Sequence, residues 1–225
     1  MEKIVNLKVA SLTNLGYVRE RNEDAFFVSA DERVFTVADG MGGMSAGDLA
    51  SRLSVTAVSD LWKSKPPDFS KAEALKSWVT EAIDNANSQV VKESFNQALD
   101  MGTTIVVAAL GPEGMLVFGH LGDSRLYTTS SGCLTEDHAI GAHELTNFVG
   151  RSLSSNPDIG ATKCEPGTRV LLCTDGLNKV VTDEEIMEIM LNSQNGPEVI
   201  LELLMDLALG YGGPDNITMI CLEII

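Results

Sequence analysis

Five times along this chain an apolar, β-prone run begins or ends at an acidic residue. Glu23 and Asp24 precede AFFVSA (25–30), Asp39-Gly40 follow VFTVA (34–38), and Gly122-Asp123 follow MLVFGHL (115–121). Asp175-Gly176 follow RVLLCT (169–174), and Asp215-Asn216 precede ITMICLEI (217–224). Short apolar runs bounded by turn residues read as strands. The GPEG sequence (111–114) between TTIVVAAL (103–110) and MLVFGHL is a hairpin signal, so the strands are expected to pair mostly antiparallel. A partly alternating stretch over 4–11 supplies one more strand.

Helical spacing fills the intervals. Leu49, Leu53, Ala57 and Leu61 recur at steps of four and predict a helix over 46–63, stopped by Pro66-Pro67. Leu75, Trp78, Val79, Ala82, Ile83, Ala86 and Val90 share one face of a helix over 71–96, a stripe that suits core packing rather than a cofactor. Two further helices are expected over 183–192 and 197–209. From 128 to 167 the periodicity is weak, apart from an apolar patch at Leu145, Phe148 and Val149. No repeat, low-complexity tract or linker interrupts the 225 residues, so one α+β domain spanning 1–225 is expected.

The charge balance narrows the partners. Asp and Glu number 32 against 16 Lys and Arg, a formal net charge of -16. Such a field repels nucleic-acid phosphates and anionic lipid, so neither nucleic acid nor membrane is expected to bind. Cys133, Cys164, Cys173 and Cys221 lack C-x-x-C spacing and read as reduced thiols. The N-terminal residues lack a signal-peptide core, and no run reaches the length of a membrane span. A cytoplasmic location is the expectation.

One acidic turn beside a strand is ordinary turn chemistry. Five together, if their strands share a sheet, would crowd ionised carboxylates on one edge, where each pushes the next towards protonation. A pair of hard divalent cations removes that cost, and Mg²⁺ or Mn²⁺ suits carboxylate and carbonyl oxygens. Zinc fits poorly, because His120, His138 and His143 lack i,i+4 spacing. Two cations that share a water lower its pKa and clamp an in-line displacement, chemistry suited to phosphate esters. Arg19, five residues before Asp24, is the candidate phosphate clamp. Two rivals fail on residues. The Gly-rich run over 40–47 has Ser45 where a dinucleotide loop needs its third glycine, and no lysine for a P-loop. A thiol phosphatase would need an arginine six residues after its cysteine. Cys164 has Arg169 five on, with Glu165 opposing a thiolate.

The matching segments, in chain order, are Arg19 to Asp24 (RERNED), VADGMGGMSAGDLAS (37–51), MGTTIVVAAL (101–110), GHLGDSRLY (119–127), TEDHA (135–139), LLCTDGL (171–177) and GGPDNITM (212–219). Together they resemble the protein phosphatase 2C family of metal-dependent Ser/Thr phosphatases, in its compact bacterial form. The resemblance implies a four-layer α-β-β-α sandwich of two mostly antiparallel sheets flanked by helices. It implies two Mn²⁺ or Mg²⁺ ions, with Asp39 bridging them, the Gly40 carbonyl on one, and Asp175 and Asp215 on the other. Glu23 would act through water, Asp24 would orient the nucleophilic water, and Arg19 would bind the substrate phosphate. Asp123, with Asp175, matches a position that can hold a third, weaker ion, while Asn216 would support Asp215. The implied reaction is hydrolysis of phosphoserine and phosphothreonine on proteins by a metal-bridging water, by a monomer opposing a Ser/Thr kinase. The alternative is an inactive phosphoprotein-binding module of the same fold. Two departures stand out. Met41 occupies the place of a histidine in animal relatives, leaving the general acid unassigned, and the flap over 138–151 is short. His120 and His138 read as hydrogen-bonded structural groups, and His143 has no assigned role.

Overall fold

The computed structural model describes residues 6–41, 46–141 and 144–225. The chain opens with β1 (Leu7–Asn14), β2 (Asp24–Val28) and β3 (Val34–Met41), then two long helices, α1 (Ala46–Ser64) and α2 (Ala72–Gln97). A short β4 (Gly102–Thr103) precedes the hairpin of β5 (Ile105–Leu110) and β6 (Met115–Leu121). There follow β7 (Arg125–Thr128), β8 (Gly132–Cys133), a small hairpin of β9 (Ala139–Ile140) and β10 (Glu144–Leu145), β11 (Asp158–Lys163) and β12 (Arg169–Cys173). Last come α3 (Asp175–Asn178), α4 (Asp183–Leu191), α5 (Pro197–Gly210) and β13 (Ile217–Ile224).

Two antiparallel sheets form, one in the order β1-β13-β12-β7-β8 and the other β11-β6-β5-β3-β2, with β4 appended to β3. Strand β5 shows why they stack. Ile105, Val107 and Ala109 face α1 and α2, while Val106, Ala108 and Leu110 face the opposite sheet. This period-2 division of an unbroken apolar run is what a strand buried on both faces requires. Phe35, Val37, Phe118, Leu126, Leu172 and Ile220 fill the space between the sheets. On the outer face of the first sheet, Ile186 and Met190 of α4 and Ile200 and Leu204 of α5 cover Leu171, Met219 and Cys221. The result is the expected α-β-β-α sandwich. Each fully buried aliphatic side chain contributes roughly 1.5–3 kcal/mol, so these three interior layers are the main source of stability.

Local signals agree with the helices. Thr182 and Glu185 form a reciprocal capping box at the start of α4, and Pro197 opens α5 where its missing N–H costs nothing. Ala98 closes α2 in the left-handed conformation. Among the described residues no helix is long and apolar enough to cross a membrane.

Three expectations need correction. The first strand runs 7–14 rather than 4–11, with Ile4 and Val5 outside the described residues. The stretch over 128–167 is not irregular throughout: β11 is a six-residue edge strand paired with β6. Its alternating, mostly polar surface carries no apolar run, hence the weak signal. β7 and the single turn of α3 also lacked a pattern long enough to read. Most consequential, the five acid-bearing strands do not share one sheet. β2, β3 and β6 belong to one, β12 and β13 to the other.

Candidate metal centre

The acidic residues from both sheets collect around one open cleft of about 310 Å³. Its lining comprises Arg19, Glu23, Asp39, Gly40, Met41, Thr104, Asp123, Leu145, Asp175, Lys179 and Asp215. Seven of the eight residues singled out from sequence are among them. The eighth, Asp24, is set back from the lining, opposite Asp39 in the β2–β3 register. Its Oδ2 accepts a hydrogen bond from Thr174 Oγ1 at 2.8 Å, while Oδ1 is buried without a partner.

Each acid is fixed through its backbone. The Asp39 N–H donates to Thr104 Oγ1 at 2.9 Å, and its carbonyl accepts from Thr103 Oγ1 at 2.7 Å and from the Thr104 N–H at 2.9 Å. Thr104 Oγ1 also shares a hydrogen bond with Ser124 Oγ at 2.7 Å, tying Asp39 to the loop of Asp123. At Gly40 a Cβ would lie 2.1 Å from the Gly47 carbonyl oxygen, so only glycine lets the first turn of α1 rest against this strand end. The intervening residues 42–45, half of the Gly-rich run, lie outside the described residues. Asp175 opens α3 directly after β12, and a Cβ at Gly176 would meet the Asn216 carbonyl oxygen at 1.9 Å. The Asp175-Gly176 and Asp215-Asn216 turns therefore touch backbone to backbone.

Asn216 proves to brace more than its neighbour. Its Nδ2 donates to the carbonyls of Leu15 (2.9 Å) and Arg21 (3.0 Å), and its Oδ1 accepts from the Glu23 N–H at 2.8 Å. One buried amide thus ties the loop that carries Arg19 and Glu23 at three points. Ser51 of α1 adds a hydrogen bond to the Glu23 carbonyl at 2.6 Å.

The electrostatics are those of a site short of positive charge. Burial, together with Asp24 and Asp175 nearby, holds Asp39 well above the usual carboxylate range. Burial pushes Asp24 up to about 7, although hydroxyls of Thr218 and Thr174 favour its ionised form. Asp123 is raised by burial and by Asp175. Two side-chain cations answer part of this. Arg19 Nη2 lies 2.6 Å from Asp215 Oδ2, and Lys179 is ion-paired with Asp175 and Asp123. Asp175 Oδ1 remains buried without a partner. An orphaned carboxylate oxygen, with five carboxylates and neither histidine nor cysteine in the lining, fits hard divalent cations such as Mg²⁺ or Mn²⁺.

Elsewhere, His120, His138 and Asp158 bring ligand-type atoms within 4.8 Å of one another, the one such trio among the described residues. The two imidazoles stack at 4.6 Å with planes 14° apart, so their lone pairs do not converge on a point. His120 Nε2 pairs with the Glu136 carbonyl, and His138 bridges the Gly122 N–H and Asp158. Both are hydrogen-bonded groups holding the flap's base. His143 lies outside the described residues. The flap carries the β9–β10 hairpin, and its Leu145 reaches the cleft. Cys164 is a poor thiol nucleophile, since burial and Glu165 push it up to about 11.

Sequence reading did not single out Thr104, Thr174 or Lys179. The hydroxyls lay inside quoted motifs, in MGTT and LLCTDG, and only Thr174, directly ahead of Asp175, carried a local signal.

Comparison with known proteins accords with this geometry. The family model described as Protein phosphatase 2C matches residues 17–198. The serine/threonine phosphatase Stp of Listeria welshimeri is 34% identical over 94% of this chain and 93% of its own. The catalytic domain of the serine/threonine protein phosphatase PstP, solved in complex with two manganese ions, superposes with a TM-score of 0.83 at 30% identity, covering 99% of this chain and 100% of that one. PppA, a regulatory component of type VI secretion in Pseudomonas aeruginosa, gives 0.85 at 30% identity over 97% and 98%. Matched along most of its length in sequence, and nearly end to end in fold, the chain belongs to the protein phosphatase 2C family.

Proposed function

We propose that this chain, as one catalytic domain over 1–225, hydrolyses phosphoserine and phosphothreonine monoesters on proteins with the help of Mn²⁺ or Mg²⁺. One observation carries the reading: carboxylates delivered by two different sheets, and an arginine, meet at a single cleft where Asp175 Oδ1 is buried and unpartnered. When bound, two divalent cations would acidify a water held between them and draw charge from the phosphoryl oxygens.

The side chains divide the remaining work. Asp39, held by Thr103 and Thr104, would bridge the two ions, with the Gly40 carbonyl beside it. Asp175 and Asp215 would ligate the second ion, and Glu23 would contribute through water. Asp24, kept behind Asp39 by Thr174, would accept a hydrogen bond from the attacking water and orient it. Arg19, now on Asp215, would turn its guanidinium to the substrate phosphate, a planar two-pronged match. Met41 lines the cleft but carries no ionisable proton, so no side chain is assigned as general acid. A non-catalytic binding module would have no need of the complete set of Asp39, Asp175, Asp215 and Arg19. The physiological partner would be a phosphoprotein that is a Ser/Thr kinase or its target, met in the cytoplasm by a monomer.

The test is phosphate release from a phosphothreonine peptide with Mn²⁺, with Mg²⁺ and with excess chelator. Activity that appears only with metal is expected. Folded protein inactive under every metal would overturn the reading in favour of the binding module.

A further inference from the structure

The cleft already contains a cation that the two-ion scheme does not use. Lys179 lies four residues after Asp175, one helical turn along, where i,i+4 side chains meet. Its Nζ is ion-paired with Asp175 Oδ2 and lies 3.0 Å from Asp123 Oδ2. The two carboxylates arrive from different sheets, Asp123 after β6 and Asp175 after β12. Their side chains are only 6% and 11% exposed, against 36% for the lysine. Two nearly buried carboxylates facing each other need a positive charge between them, and the ammonium supplies it.

The two oxygens of Asp175 are then divided. Oδ2 belongs to the lysine, and Oδ1 is the buried atom left without a partner. This division leaves Asp175 free to serve the two-ion centre through Oδ1 while its other oxygen is engaged. It also takes up the pair of carboxylates, Asp123 and Asp175, that the family resemblance links to a third and weakly held ion. A divalent ion there would need the same lone pairs at about 2.0–2.6 Å and would face the ammonium's repulsion. The lysine is covalently tethered and competes at an effective concentration in the mM range or above, as linked groups do. A weakly held ion loses that competition.

We propose that Lys179 fills the place of a third divalent ion in this chain, bridging Asp123 to Asp175 as a tethered cation, so that the cleft takes two divalent ions and no third. The inference rests on the metal-dependent reading above and specifies its stoichiometry. It also makes Lys179 a positioning residue, holding Asp175 and joining the rims of the two sheets.

Counting bound Mn²⁺ by equilibrium dialysis, with free Mn²⁺ read by electron paramagnetic resonance, tests it without reference to turnover. The wild-type chain should bind two ions up to millimolar Mn²⁺. Lys179→Gln and Lys179→Ala, shown folded by circular dichroism, should bind three, the added one weakest. Adding Asp123→Asn to either variant should return the count to two. If the alanine variant does not fold, the glutamine variant carries the count. Three ions in the wild type would overturn the role of Lys179 and leave the phosphatase reading standing, as would two in the folded variants. No bound Mn²⁺ in the wild type would overturn both.

Discussion

Replacing Asn216 by alanine should unfasten the loop that carries Arg19 and Glu23 while leaving the main acidic residues where they are. The side chain is 4% exposed and makes three hydrogen bonds, to the carbonyls of Leu15 and Arg21 and from the Glu23 N–H. At about 1 kcal/mol net for each bond, the substitution costs on the order of 3 kcal/mol. For a domain of this size that is a fall in Tm of about 6–12 °C. Asp39 and Asp175 should be spared, because one is held by Thr103 and Thr104 and the other opens α3. Metal affinity should therefore change little. Arg19 and Glu23 lose their register, and a displacement of about 1 Å can cost on the order of 100-fold in rate. Thermal unfolding, kcat/KM on a phosphothreonine peptide and Mn²⁺ titration measure the three effects separately. A Tm within a degree of wild type with kcat/KM unchanged would refute the bracing argument. Asn216→Asp sharpens the contrast, since it keeps the acceptor for Glu23 but loses both donated bonds and adds a buried charge beside Asp215.

Asp39→Asn should lower kcat by more than the roughly 10–100-fold typical of losing a residue behind a metal ligand, with the fold intact by circular dichroism; near-wild-type kcat at saturating Mn²⁺ would sink the bridging role. Arg19→Ala removes a charge-assisted bond worth about 1.5–3 kcal/mol and should raise KM roughly 10–100-fold with kcat largely kept; steady-state kinetics decide, and a loss confined to kcat would count against the clamp. With metal chelated, stability should fall as pH rises. Burial holds Asp24 at about 7 in the folded chain, so its proton stays bound after the unfolded chain, at about 3.9, has released its own. The folded state's advantage is complete at acid pH and is lost as pH climbs through 7, by at most about 4 kcal/mol. Thermal unfolding in chelator from pH 4.5 to 7.5 should show this slope, and Asp24→Asn should reduce it, leaving the part that Asp39 and Asp123, also raised by burial, contribute; parallel curves for the two proteins would exclude Asp24 as a source.

What the sequence made legible follows from what each residue needs to touch. The stripes of α1 and α2 and the apolar runs of β3, β5, β6, β12 and β13 announce themselves, because burial demands a local pattern of one residue type. An acid at the end of such a run is equally local, so most of the cleft was readable as a set. Its origin in two sheets was not. A strand buried on both faces carries the same unbroken apolar run whichever sheet it joins, and only pairing partners far along the chain decide. The bracing residues fail for the same reason: Asn216 meets Glu23 across 193 positions and Asp39 meets Thr104 across 65. Lys179 is the sharpest instance. Four residues after an aspartate on a helix, it reads as a surface i,i+4 pair, worth a few tenths of a kcal/mol. Only when β6, from the opposite sheet, carries Asp123 to within 3.0 Å does the same ammonium lie between two nearly buried carboxylates. Its meaning is then set by the far partner, and any other chain of this family that sets a lysine between the same two carboxylates should show the same limit of two ions.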